Sequence, residues 1–270
     1  MTAVDLQHGS ATDVGHVRAV NEDSFLTAPP VFVVADGMGG HAGGDVASAM
    51  VVAELGKLGD ALLEPRAAAR SVLAALERCQ VRLREYAEGQ GHRGPSIHAG
   101  TTVVVAMLVR DEDGTRWLLA NLGDSRVYGL GPGGLDQVSV DHSVVQELVD
   151  AGRITAEQAQ HHPERHVITR ALSAADVPEP DFFLVPLDAA HRLLLCTDGI
   201  NAMIDDVDIE RILRRCPDPG QAAAELVQAA LDAGGRDNAT AVVVDVVGLA
   251  ENDDDSHRAA SDETNQGALP

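Results

Sequence analysis

Lysine is almost missing from this chain: Lys57 is the only one in 270 residues. Any basic task at a functional site therefore falls to arginine or histidine, with Lys57 as the single exception. Basic residues are scarce altogether, 20 against 42 acids, and the formal net charge is -22. So acidic a chain is a poor partner for nucleic acid, whose phosphate backbone demands clustered Lys and Arg. An anionic membrane surface is disfavoured for the same reason. Long hydrophobic runs are missing too. No stretch of about 18 uninterrupted apolar residues occurs, so no membrane-spanning helix is expected. The opening segment, MTAVDLQHGSATDVGH, has no charged region followed by an apolar one, so no secretory signal is read. Cysteine is limited to Cys79, Cys196 and Cys216, an odd number with no C-x-x-C spacing. That argues against a disulfide scaffold and a cysteine zinc site, and a reducing cytoplasm is expected. A cysteine-dependent phosphatase loop needs an arginine six residues after its cysteine, and those positions hold Glu85, Ala202 and Ala222.

What is present suffices for a sizeable core. Hydrophobic residues reach 45%, although aromatics are only 3%. At roughly 100–200 residues per domain, the length allows one large domain or two small ones. Residues 31–35 (VFVVA) read as a buried strand ending at Asp36 and a glycine cluster. Residues 46–58 and 66–88 have helical spacing, with Val72, Leu73, Leu76, Cys79 and Leu83 on one face. Residues 101–109 and 116–130 read as successive strands joined by hairpins, with turns at DEDG and GPGG. A helix with turn signals around Gly152 follows over 143–160. Strands are read at 182–187 and 191–197, helices at 206–215 and 219–233, and a last buried strand at 239–247. Strands and helices come in blocks rather than as strict βαβ units. The expectation is an α+β fold, antiparallel sheets covered by helices. Residues 1–250 read as the folded unit. The tail 251–270 is polar and acidic, and is expected to be disordered.

Acids recur at the ends of apolar runs. They are Asp36 before Gly37, Asp198 before Gly199, and Asp124 after Gly123. Asp237 stands just before the final strand, and Glu22 and Asp23 follow a turn-rich DVGHVR. An isolated Asp-Gly after a strand is a plain turn. Strands ending at one sheet edge would instead gather these carboxylates, and packed carboxylates need protons or a cation. All-oxygen ligands suit Mg²⁺ or Mn²⁺, and the neighbouring glycines let backbone carbonyls approach.

As an ordered set, eight segments resemble the PPM family of metal-dependent Ser/Thr protein phosphatases, also called PP2C-type, in its bacterial form. They are DVGHVRAVNEDS (13–24), VVADGMGGHAGGDVAS (33–48), AGTTVVVAML (99–108), LANLGDSRVY (119–128), DHSVVQELVDAG (141–152), VITRAL (167–172), LLLCTDGI (193–200) and GGRDNATAVVV (234–244). The resemblance implies a four-layer αββα sandwich with two central antiparallel sheets. It implies a serine/threonine phosphatase acting on phosphorylated proteins with two or three Mn²⁺ or Mg²⁺ ions that activate water. Opposition to Ser/Thr kinases in a bacterium is implied too.

Position by position, Asp36 resembles the carboxylate bridging two metals, with the Gly37 carbonyl on the second. Asp198 and Asp237 resemble further ligands of the first metal. Glu22 resembles the residue orienting a metal-bound water, with Asp23 beside it. Asp124 resembles the ligand of a third metal shared with Asp198. Arg18 resembles the guanidinium that holds the substrate phosphate, a task its planar fork suits. Eukaryotic relatives have histidine after the Asp-Gly pair, as general acid, whereas this chain has Met38, which donates no proton. His41, three residues on, is a further candidate. Ser173 stands where the bacterial pattern more often has glycine. Residues 143–170 resemble the family's flap, which affects substrate choice.

Rival signals read more simply. Asp111–Thr115 (DEDGT) matches the D-x-D-x-T motif of haloacid-dehalogenase-like phosphatases. Those enzymes need a downstream lysine, and Lys57 lies upstream; an Asp-Gly hairpin turn explains the segment. His161, His162 and His166 read as a polar loop before a metal cluster, and Cys196 as a buried core thiol. Other classes remain: a catalytically silent regulatory binding module of the same fold, a purely structural cation-binding protein, or, within the enzyme class, a phosphatase of anti-sigma-factor antagonists.

Overall fold

A computed structural model describes residues 3–39, 43–59, 62–89 and 99–250. His41 and the tail 251–270 lie outside the described residues. The strands are β1 (Ala3–Asp13), β2 (Asp23–Ala28), β3 (Val31–Met38), β4 (Gly100–Thr101), β5 (Val103–Asp111), β6 (Gly114–Leu122), β7 (Arg126–Gly131), β8 (Gly134–Gln137), β9 (Leu172–Ser173), β10 (Asp181–Pro186), β11 (Arg192–Cys196) and β12 (Ala239–Ala250). The helices are α1 (Gly44–Leu55), α2 (Pro65–Gly89), α3 (Val144–Asp150), α4 (Ala156–Gln160), the one-turn α5 (Asp198–Asn201), α6 (Asp206–Arg215) and α7 (Pro219–Asp232).

Two antiparallel sheets result. One has the order β1-β12-β11-β7-β8; the other runs β10-β6-β5-β3-β4-β9, with β2 on the outer side of β3. Side chains alternate across each strand, and here both faces are covered. Val31 and Val33 of β3 pack under α1 and α2 with Val51, Leu55, Val72 and Leu76. Phe32 and Val34 point the other way and meet Leu193, Leu195, Val242 and Val244 of the second sheet. On that sheet's outer face, Leu194, Cys196, Ala241 and Val243 pack against Ile209, Ile212, Leu226 and Ala230 of α6 and α7. The layers are therefore helix, sheet, sheet, helix. Burial on both faces is why these strands read as continuous apolar runs rather than alternating ones.

The helices follow their sequence signals. Ala68, Val72, Leu76, Cys79 and Leu83 form the buried stripe of α2. Asp218 caps α7 by accepting from Gln221 N–H, with Pro219 opening the first turn. Where α7 crosses β1, a Cβ on Gly9 would lie 2.2 Å from Gly220 Cα, so only glycine permits that approach.

Three readings change. β1 carries no recognisable strand signal, yet it pairs with β12 along its whole length. The hairpins at DEDG and GPGG form as read, but 116–130 is not one strand: it divides into β6 and β7, which belong to different sheets. The turn Gly123–Ser125 carries the chain from one sheet to the other, with Gly123 at φ 117°, and leaves Asp124 between the two. The 143–160 helix is two short helices, split around Gly152 at φ 66°.

The layer between the sheets is the part most sensitive to volume. Leu119 is 1% exposed there, whereas Val207 on α6 is 74% exposed. Leu119→Ala is expected to lower the unfolding free energy by about 2–5 kcal/mol. Val207→Ala is expected to stay within about 0.5 kcal/mol of the parent. Urea denaturation checks both, and equal losses would contradict a sealed inter-sheet layer.

Candidate active site

The acids named from the sequence come together at one end of the sandwich. Asp23 and Asp36 are register partners across β2 and β3. Asp198 opens α5 directly after β11, and Asp237 precedes β12, which pairs with β11. Asp124 sits on the β6–β7 crossing. Each keeps some exposed surface and is otherwise enclosed by protein.

The backbone around each acid is pinned, so the carboxyls cannot splay apart. Asp36 N–H donates to Thr102 Oγ1 at 3.1 Å. Its carbonyl accepts from Thr102 N–H at 2.9 Å and from Thr101 Oγ1 at 2.9 Å. Asp23 Oδ2 accepts from Thr197 Oγ1 at 2.9 Å and Thr240 Oγ1 at 2.7 Å. Its Oδ1 is buried with no hydrogen-bond partner. Asn238 ties the Arg18 loop to the sheet. Its Nδ2 donates to the Val14 and Val20 carbonyls at 2.9 and 3.0 Å, and its Oδ1 accepts from Glu22 N–H at 2.8 Å. Close backbone approach does the rest. A Cβ on Gly199 would lie 1.9 Å from the Asn238 carbonyl oxygen, and one on Gly37 would lie 2.2 Å from that of Gly44. Glycine at these two positions draws Asp198 towards Asp237 and Asp36 towards the start of α1. Glu22 Oε1 stands 2.8 Å from where a Gly44 side chain would begin, at the positive end of the α1 dipole.

Burial and mutual repulsion dominate the electrostatics. Burial, then the charges of Asp23, Asp198, Asp124 and Asp237, hold Asp36 well above the ordinary carboxylate range. Burial pushes Asp23 to about 7 against the pull of its two threonine hydrogen bonds, with Asp198 and Asp237 adding to the rise. Asp124 is also pushed to about 7, by burial first and then by Asp198 and Asp141. Asp198 is raised by burial and by Asp237, with His166, a hydrogen bond to Asp36, and Arg18 opposing. Arg18 Nη2 donates to Asp237 Oδ2 at 2.7 Å, and its side chain is half exposed. That bond, and the charges of Asp36 and Glu22 nearby, raise the guanidinium pKa further.

As they stand, no three His, Cys, Asp or Glu side chains among the described residues are arranged to hold a metal ion. The fit therefore rests on donor chemistry. Oxygen-only donors, an orphaned Asp23 Oδ1 and carboxyls held above their usual range suit a hard divalent cation, Mn²⁺ or Mg²⁺. An open groove of about 630 Å³ lies elsewhere, between β2 and α1, running from Asp23 to Lys57. Asp36, Asp124, Asp198 and Asp237 do not line it, so it is not the reacting centre. The rival motif Asp111–Thr115 is a hairpin tip in which Asp111 and Asp113 pair with Arg116. It stands at the far end of β5 from Thr102. Cys196 is fully buried. Sequence reasoning missed Thr197, Thr240, Thr102 and Asn238, whose only signal is adjacency to an acid or to its strand. It also missed His166, which lies close enough to Asp198 to favour its charged form.

This chain belongs to the protein phosphatase 2C family, whose model matches residues 15–233. It is 40% identical over 248 residues to the serine/threonine protein phosphatase PstP of Mycobacterium tuberculosis, covering 90% of this chain and 45% of that protein. The chain thus spans about half the length of that curated relative. It is 35% identical to the serine/threonine phosphatase stp of Listeria welshimeri, covering 87% of this chain and 93% of that one. The crystal structure of the PstP catalytic domain in complex with two manganese ions matches with a TM-score of 0.77 and 36% identity, over 91% of this chain and 100% of that one. Among the described residues no helix is long and apolar enough to cross a membrane.

The raised carboxyls make stability depend on pH. Asp23 rises from 3.8 to about 7 on folding, and Asp124 does the same. Between those values the folded protein holds protons that the unfolded chain releases. Stability of metal-free protein therefore falls as pH rises through that window. Melting in EDTA is expected to drop from pH 4 towards pH 7 and to recover on adding Mn²⁺. Asp23→Asn should flatten the drop. A melting temperature in EDTA that climbs across the window would contradict this electrostatic picture.

Proposed function

We propose that the chain is a Mn²⁺- or Mg²⁺-dependent protein phosphatase that hydrolyses phosphoserine and phosphothreonine in phosphorylated proteins. The observation that carries this reading is the gathering of Asp23, Asp36, Asp124, Asp198 and Asp237 beside Arg18. The named relatives, all serine/threonine phosphatases, support it. Residues 1–250 are assigned as the catalytic unit, and 251–270 as a tail outside the chemistry. Opposition to Ser/Thr kinases in a bacterial cytoplasm belongs to the same proposal, with no nucleic-acid or membrane partner.

Asp36, the Gly37 carbonyl, Asp198 and Asp237 are assigned to hold the cations, with Asp124 and Asp198 for a third. When bound, such ions activate water and offset the charge of the phosphate. The remaining work falls to side chains of this chain. Arg18 offers its unused N–H groups to phosphate oxygens while Asp237 holds the guanidinium in place. Glu22, fixed through its backbone by Asn238, orients the attacking water. Asp23, anchored by Thr197 and Thr240, supports Asp36 from the neighbouring strand. Met38 donates no proton to the leaving alkoxide, so a water or another side chain supplies it. His41 is retained as a candidate for that step. No covalent phosphoenzyme is required, which agrees with the inert, buried Cys196, whose thiol is pushed up to about 12, chiefly by burial.

Phosphate release from a phosphothreonine peptide, with Mn²⁺ and with EDTA, tests the reading. Release is expected with Mn²⁺ alone, and turnover surviving EDTA would overturn it. Asp198→Asn is expected to lower kcat more than about 100-fold with the fold intact by circular dichroism. Arg18→Ala should raise KM roughly tenfold with a smaller effect on kcat. An unchanged KM with a lowered melting temperature would make Arg18 a structural residue. Mn²⁺ binding without turnover on any phosphopeptide would favour the silent binding module instead.

A further inference from the structure

The Asp124 turn and the 143–170 segment meet at one residue, His142. It is 5% exposed, and both ring nitrogens are engaged. Gly123 N–H donates to Nδ1 at 3.1 Å. That bond requires a lone pair on Nδ1, so the ring proton belongs on Nε2, which lies 3.1 Å from Asp181 Oδ2 and donates to it. The His142 backbone N–H donates to the Gly123 carbonyl at 2.9 Å. Both backbone groups of Gly123 therefore bond to His142, and its carbonyl also accepts from Asn121 Nδ2 at 3.3 Å.

Gly123 has little freedom on its other side. A Cβ there would lie 2.5 Å from Thr102 Cβ, and Thr102 is the residue that brackets the Asp36 backbone. Thr102 Oγ1 also contacts Ser125 Oγ at 2.7 Å. The turn carrying Asp124 is thus seated between Thr102 and His142.

His142 also closes the base of the 143–170 segment. Thr169 N–H donates to the His142 carbonyl at 2.8 Å, and Val144 N–H to the Val167 carbonyl at 2.9 Å. Ser143 and Ile168 form an antiparallel bridge between them. Arg170 Nη1 lies 3.3 Å from Asp181 Oδ1, beside the same imidazole.

We propose that His142 is a positioning residue that locks the Asp124 turn and the base of the 143–170 segment into one unit. Order in the carboxylate site and order in that segment are then coupled through one residue, by its ring on the turn side and its backbone carbonyl on the segment side. The consequence for turnover rests on the phosphatase reading, but the coupling itself does not.

Two substitutions separate this role from plain scaffolding. His142→Asn can keep an acceptor near the Nδ1 position for Gly123 and loses the reach to Asp181. His142→Gln can keep the reach to Asp181 and loses the acceptor for Gly123. Mn²⁺ binding is followed by calorimetry, and amide hydrogen exchange is followed at 121–126 and 142–170. His142→Gln is expected to weaken Mn²⁺ binding about tenfold and to lose protection in both segments, while His142→Asn stays within about twofold of the parent. Identical behaviour of the two variants would overturn the proposal. Should both fail to fold, the parent protein decides. Both segments must gain protection with the same Mn²⁺ midpoint, and indifference of 142–170 to Mn²⁺ overturns the coupling. A parent that shows coupled exchange yet releases no phosphate overturns the phosphatase reading alone.

Discussion

Asp36 feels the charges of Asp23, Asp198, Asp124 and Asp237 at once, and the rest of the structure is arranged to tolerate that repulsion. Two unit charges about 4 Å apart interact by about 4 kcal/mol at an effective dielectric of about 20. A domain's net stability is only about 5–15 kcal/mol. A few such repulsions would exhaust it, so protons or cations must relieve them. The carboxyls are nonetheless kept together by backbone. Thr101 and Thr102 hold both sides of Asp36, Asn238 holds the Arg18 loop, and Gly37 and Gly199 remove the side chains that would force strands apart.

The apolar sandwich supplies the stiffness for this. Phe32, Trp117, Leu119, Leu193, Leu195, Val242 and Val244 fill the space between the sheets. The acids stand at the end of that layer, where β2, β3, β11 and β12 bring their termini together. A packed interior resists small displacements, so strands that carry acids on their ends act as fixed mounts. Arg18 is different. It lies on a loop and is half exposed, which leaves its guanidinium free to meet a ligand while Asp237 limits its range.

Much of this was legible in the sequence because the core strands are buried on both faces. Runs such as VFVVA and LLLCT announce themselves without alternation, and an acid at the end of each marks the site edge. β1 was not legible: its residues, VDLQHGSATD, are polar, and its place is set by pairing with β12. The β6–β7 crossing was not legible because 116–130 reads as one strand, and Gly123 alone does not announce a change of sheet. The grouping of the acids was readable from strand ends, but the supports were not. Thr197, Thr240 and Asn238 act through contacts with residues some 174 to 224 positions away, and no local pattern encodes that separation. His142 is the same case, because its partners Gly123, Thr169 and Asp181 come from three different parts of the chain.

The central claim is that these carboxylates form a divalent-cation site with Asp36 at its middle. Crystals grown with Mn²⁺ and measured for anomalous scattering at the manganese edge test it directly. Two strong peaks flanking Asp36, one also within ligand distance of Asp198 and Asp237, are the result this account predicts. A map with no manganese at Asp36, or with manganese bound only at surface acids, would contradict it.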